Sequence, residues 1–201
     1  MLLRTRSFLA TPASQRRLLK HTGTIRLVHS PASVAMFLVR HSLTPYQTTA
    51  NHNFSGWEKV PEPNRGCLSA TTLSQLSKFP SDWPEIEYVP IDIVTPPANT
   101  LPTDNFIAFG VALLTPISRG NVTIKSADTD DKPLLNPNWL FETADQEVAV
   151  QAVRRVREIA VASGVVIEEV APGPAVQSDA QILKWLQDNA SLIYHASATC
   201  T

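Results

Sequence analysis

The chain has 201 residues, 43% of them hydrophobic and 17% charged, a balance too apolar for a disordered protein and sufficient for one sizeable core. Its net charge of −1 conceals an asymmetry: no acidic residue precedes Glu58, while Arg4, Arg6, Arg16, Arg17, Lys20, Arg26 and Arg40 make that stretch basic. The basic stretch lacks the interleaved aromatics of a single-strand binder and any DNA-reading motif, which argues against nucleic acid as a partner, and no run reaches the ~18 apolar residues of a membrane-spanning helix.

Cys67 and Cys200 are the only cysteines, too few for a disulfide framework, and no two histidines stand at metal-ligand spacing. Residues 1–42 are rich in Arg, Ser and Thr and free of acid, the composition of a mitochondrial transit peptide, although Pro12 interrupts the helix such a peptide needs. They are read as a basic tail, either transit-like or divergent, ahead of a domain over residues 43–201. No apolar core of a secretory signal follows the first arginines, so the sequons at Asn53, Asn121 and Asn189 are expected to go unused.

Trp57 and Trp83 belong to irregular, Pro-rich text, where burial is the ordinary task of a large aromatic. Thr71 to Lys78 has the spacing of a short helix at best. Ile86 to Ile93 alternates as a half-buried strand, with Pro90 restricting it to an edge or bulge. Asn105 to Leu114 is a continuous apolar run, the pattern of a central strand buried on both faces. After a turn at Arg119-Gly120, Val122 and Ile124 alternate with Thr123 and Lys125.

Thr143-Ala-Asp-Gln146 has the spacing of a capping box, Val148, Ala152, Val156, Ile159 and Ala160 form an apolar stripe, and Ser163-Gly164 is a stop signal. Arg154, Arg155 and Arg157 fall on the predicted solvent side. A second capping box, Ser178 to Gln181, opens a helix with Ile182, Leu183, Trp185 and Leu186 on one face. Strands followed by helices predict an α+β fold: an antiparallel sheet with helices packed on one side and an irregular basic N-terminal tail.

The run Ser118-Arg-Gly-Asn-Val-Thr-Ile-Lys-Ser-Ala-Asp128, continued by Lys132-Pro-Leu-Leu-Asn-Pro-Asn-Trp-Leu140, resembles the opening of the C-terminal, substrate-side domain of the glucose–methanol–choline (GMC) family of flavin oxidoreductases. The C-terminal Tyr194-His195-Ala-Ser-Ala-Thr-Cys200 is similar to the family segment that sets a histidine beside the flavin. The resemblance implies FAD as cofactor, an alcohol as substrate, His195 as proton acceptor, and Tyr194 and Trp57 as substrate contacts. Imidazole suits such a base, since its reference pKa of ~6.5 leaves it neutral near pH 7. No Gly-x-Gly-x-x-Gly follows a strand, so the turn that cradles the FAD phosphates is absent from this sequence.

Two expectations follow. One is a piece of an FAD-dependent oxidoreductase acting on CH–OH donors, inactive by itself; the other is a non-catalytic binding or regulatory module. If a flavin domain normally covers this one, Phe106 to Leu114 and the end beyond Tyr194 should expose apolar surface and promote self-association.

Overall fold

The computed structural model describes Ser33–His41, residues 55–91 and residues 105–192. A six-stranded antiparallel sheet has the order β2-β3-β4-β1-β7, with β8 pairing with β1. Its strands are β1 (Ser33–His41), β2 (Gly56–Glu58), β3 (Ile86–Ile91), β4 (Asn105–Leu113), β7 (Val166–Ala171) and β8 (Ser191–Leu192). A separate ribbon pairs β5 (Asn121–Thr123) with β6 (Leu134–Asn136). Three helices accompany the sheet: α1 (Ala70–Leu76), α2 (Thr143–Ser163) and α3 (Asp179–Asn189). This is the α+β arrangement that the order of patterns predicts.

β4 lies mid-sheet, paired with β3 on one side and β1 on the other. Its run of bulky residues has no polar face because both faces are covered: Phe106, Ala108, Phe109, Val111, Ala112 and Leu113 are all buried. The expectation that Phe106 to Leu114 offers an exposed apolar face is thereby corrected over β4. β1 falls within the stretch read as tail, so the sheet begins inside residues 1–42. The periodicity of β1 is hard to recognise from sequence because Arg and His close a run that is otherwise apolar throughout, Val34 to Val39. Pro90 lies beyond β2, whose pairing with β3 ends at Tyr88; its missing N–H is tolerated where β3 has a described neighbour on one side alone.

One face of the sheet is packed by the helices. Ile86, Tyr88, Phe109, Val111 and Leu113 form a single cluster with Val148, Ala152, Val153 and Val156 of α2 and with Ile182 and Leu186 of α3. Burying a side chain of this size contributes about 1.5–3 kcal/mol, so the apolar stripe outweighs the modest propensity of a Val-rich α2. Gly164 ends α2 with φ 68°, the left-handed conformation that the stop signal anticipates. α3 begins with the expected reciprocal capping box between Ser178 and Gln181.

The first capping box does not form. Glu142, not Thr143, is the N-cap of α2, and its side chain makes no capping bond. Gln146 turns back to donate to the Leu140 carbonyl at 2.8 Å. Asp145 instead accepts from the backbone N–H groups of Ile117 and Ser118, each at 2.7 Å, and binds the start of α2 to the chain leaving β4. A tertiary partner has displaced the local one, which three-residue spacing cannot reveal.

The same region explains the motif Ser118 to Leu140. Gly120 packs so closely that a Cβ there would lie 2.5 Å from the Asn136 carbonyl oxygen. Asn138 donates its side-chain amide to the Arg119 carbonyl at 3.0 Å. Ser118 Oγ accepts the Glu142 N–H at 2.9 Å. The motif is therefore a mutual clasp between the turn before β5 and the turn after β6.

Candidate functional site

The helix-free face of the sheet carries the candidate site, and hydrogen bonding fixes which residues face it. Tyr88 Oη donates to Glu58 Oε1 at 3.0 Å, and Arg155 Nε of α2 donates to the same oxygen at 2.8 Å. Glu58 and Tyr88 thus face the helices. Strand alternation sends their neighbours Trp57 and Glu87 to the opposite face.

Burial, then the Glu58 carboxylate, raise the Tyr88 phenol well above the ordinary tyrosine range. Hydrogen bonds to Glu58 and then Glu158 raise Arg155 and hold it charged, while its bond lowers Glu158, aided by Asn64. The three arginines expected in solvent are half-buried and paired, Arg154 with Asp179, Arg155 with Glu58 and Glu158, and Arg157 with Glu169. Helical periodicity identifies a polar face but not the carboxylates folded over it.

Trp57 is 59% exposed and Trp83 49% exposed, so neither buries itself in the core. Together with Asp82, Pro84 and Leu114 they line an open cleft of about 430 Å³. The backbone behind the cleft is hydrogen-bonded around one buried residue. Glu85 is 1% exposed; its N–H donates to the Glu58 carbonyl at 3.0 Å and its carbonyl accepts the Leu114 N–H at 2.9 Å. Its carboxylate accepts from Val60 N and Arg65 Nη1, both at 2.9 Å. The segments bearing Trp57 and Leu114 are thus tied to the backbone of Glu85, two residues after Trp83, and its carboxylate adds Val60 and Arg65. Glu85 and Arg65 carry no recognisable signal in the sequence, where a Glu beside a strand reads as solvent-facing.

Tyr194 and His195 lie outside the described residues. Among the described residues, Trp57 pairs with Glu87, Glu87 with Ala112, Ala112 with Val34, and Val34 with Ser191. Trp57 and Ser191 therefore share one transverse row, separated by four strand spacings or about 19 Å. His195 follows Ser191 by four residues, a reach of at most ~14 Å.

FAD finds no fit among the described residues. Every described strand pair is antiparallel, so no strand-turn-helix crossover offers its amides to a pyrophosphate. The N-termini of α2 and α3 carry Asp145 and Asp179 in their first turns, charges that repel a phosphate. No cluster of metal-ligating side chains occurs among the described residues, and no described helix is long and apolar enough to cross a membrane.

The family resemblance is shown by comparison with known proteins. Residues 116–201 match the C-terminal domain described as GMC oxidoreductase. The glucose methanol choline oxidoreductase atC of Aspergillus terreus is 46% identical over 145 residues, which are 72% of this chain and 24% of that protein. Patulin synthase of Aspergillus clavatus is 41% identical over 155 residues, 72% of this chain and 25% of that protein. A structure of formate oxidase from Aspergillus oryzae RIB40, solved in connection with FAD modification, superposes with TM-score 0.70 at 15% identity. It covers 89% of this chain and 38% of the oxidase, and this likeness shows the fold alone.

The chain is thus similar to the C-terminal part of GMC oxidoreductases. It spans about a quarter of the length of the curated relatives it matches.

Proposed function

We propose that this chain forms the substrate-side part of an FAD-dependent oxidoreductase acting on CH–OH donors, with His195 as proton acceptor and Tyr194 and Trp57 as substrate contacts. The observation that carries the reading is the match over residues 116–201, which includes the Tyr194-His195 segment. The FAD that would serve as oxidant is held outside the described residues. What falls to this chain is to bind a small alcohol and to take its hydroxyl proton. A neutral imidazole can hold that proton near pH 7, whereas a carboxylate of ordinary pKa is a weaker base by about two units.

The described strands support this division of labour. β8 is paired with β1 at Ser33 and Val34, so the sheet anchors the chain two residues before Tyr194. A base must be held within hydrogen-bond reach of its substrate oxygen, and an anchored strand end restricts where the following residues can lie.

The test grafts residues 33–201, which include β1 and its pairing with β8, in place of the matching segment of patulin synthase and compares the graft with its His195→Ala variant. Reduction of the flavin by alcohol, followed in a single anaerobic turnover, is expected to slow by about 10²–10⁴-fold with flavin content unchanged. Reduction within about threefold of the parent removes His195 from proton transfer, because a positioned base is worth far more than that.

A further inference from the structure

We propose that the cleft between Trp57 and Trp83 is a preformed binding site for a planar aromatic ring bearing a cationic or N–H donor group. The assignment deepens the proposed role of Trp57 as a substrate contact, and it stands on the cleft's own geometry.

Two tryptophans open to solvent in one cleft are unusual, since large aromatics ordinarily stabilise a fold by burial. Their exposure is not a consequence of looseness. The segments bearing Trp57 and Leu114 are each hydrogen-bonded to the backbone of Glu85, and Trp83 stands two residues before it. The Trp83 N–H is itself turned back onto the Pro80 carbonyl at 3.0 Å. Glu85 in turn is locked by Arg65 and the Val60 N–H. Backbone segments already tied together lose little entropy when a ligand arrives, which favours useful affinity from a small surface.

The lining selects the ligand's chemistry. Trp57, Trp83, Pro84 and Leu114 offer flat and apolar surface, and Asp82 is the one charged residue on the rim. Asp82 makes no hydrogen bond or ion pair with any described residue, so its carboxylate is available to a donor. An indole face attracts a cation more strongly than other aromatic faces do, and a carboxylate beside it adds in the same sense. An anion or a branched aliphatic group gains neither interaction. The cleft, of about 430 Å³ and open to solvent, admits a single ring.

Register places the cleft on the same transverse row as Ser191 but at the other end, about 19 Å away. The cleft acts as a binding subsite for the ring.

The experiment uses the full chain carrying Trp139→Phe and Trp185→Phe, which leaves Trp57 and Trp83 as the fluorophores. It is titrated with benzylammonium and, in parallel, with benzyl alcohol and cyclohexylmethylammonium. Saturable quenching by benzylammonium is expected, at least about fivefold weaker for the saturated ring and for Trp57→Ala read through Trp83. Asp82→Asn should weaken benzylammonium about threefold and leave benzyl alcohol unchanged. Circular dichroism checks that the exposed Trp57 and Asp82 substitutions and the half-buried Trp139 and Trp185 substitutions leave the fold intact. Quenching that stays linear with concentration overturns the proposal, as does saturation indifferent to Trp57→Ala or equal binding of the saturated ring. Because no turnover is measured, these outcomes are separate from the fate of His195 as base.

Discussion

Removing the Glu85 carboxylate tests the idea that it holds Val60 and Arg65 to the start of β3 behind the cleft. Glu85→Ala leaves the Val60 N–H without its partner at a residue only 1% exposed, a desolvation cost of about 1–3 kcal/mol. It also leaves Arg65 without the bonds at 2.9 and 3.1 Å that now hold it. A fully buried orphan charge costs about 3–5 kcal/mol, but the Arg65 side chain is 28% exposed and can turn toward water. The expected total is therefore about 3 kcal/mol, which for a domain of this size lowers the thermal midpoint by about 6–12 °C. Glu85→Gln keeps an oxygen for the Val60 N–H and forfeits the charge alone, so its cost should be about 1 kcal/mol.

The assay is thermal unfolding followed by circular dichroism, with Arg65→Ala and the double variant completing a cycle. A coupling energy of about 1–2 kcal/mol is expected between the two sites. Benzylammonium affinity should be unchanged in Glu85→Ala well below its midpoint, because the bonds from the Glu85 backbone to the segments bearing Trp57 and Leu114 remain. Equal losses for Glu85→Ala and Glu85→Gln, or a coupling near zero, refute the argument that the carboxylate joins Val60 and Arg65 to the start of β3.

The Tyr88 phenol is raised by burial and by Glu58, so its contribution is fully present below the unfolded value near 10 and is lost as pH rises beyond it. Tyr88→Phe should therefore lower stability by about 1 kcal/mol at pH 7 and flatten the fall of the melting midpoint above pH ~10; an unchanged alkaline slope contradicts this. Gly120→Ala places a Cβ 2.5 Å from the Asn136 carbonyl oxygen and 2.9 Å from Pro137. It should cost about 2–3 kcal/mol by forcing β5 and β6 apart, seen as faster amide exchange in the ribbon than in β4. An exchange pattern identical to the parent shows that the clasp is dispensable.

Elements built from one local pattern were legible in the sequence. The extents of α2 and α3, the Gly164 stop and the Ser178 capping box all depend on residues within a few positions of one another. The apolar run of β4 marked a strand covered on both faces, because no polar face can survive in such a place. The family resemblance likewise rested on contiguous text from Ser118 to Leu140.

Pairing between distant segments was decided by tertiary structure. The choice of Asp145 over Thr143 at the head of α2 depended on Ile117 and Ser118, 28 and 27 residues away. The exposure of Trp57 followed from strand parity once Glu58 had found Arg155, 97 positions later. Glu85 became a buried keystone because Arg65 and Val60 reached it. Sequence by itself determines where a side chain can point relative to its neighbours, through the fixed periods of helix and strand. Which distant group meets it there, and whether water is excluded from the meeting, is set by the fold as a whole, since desolvation and long-range hydrogen bonding have no sequence period to read.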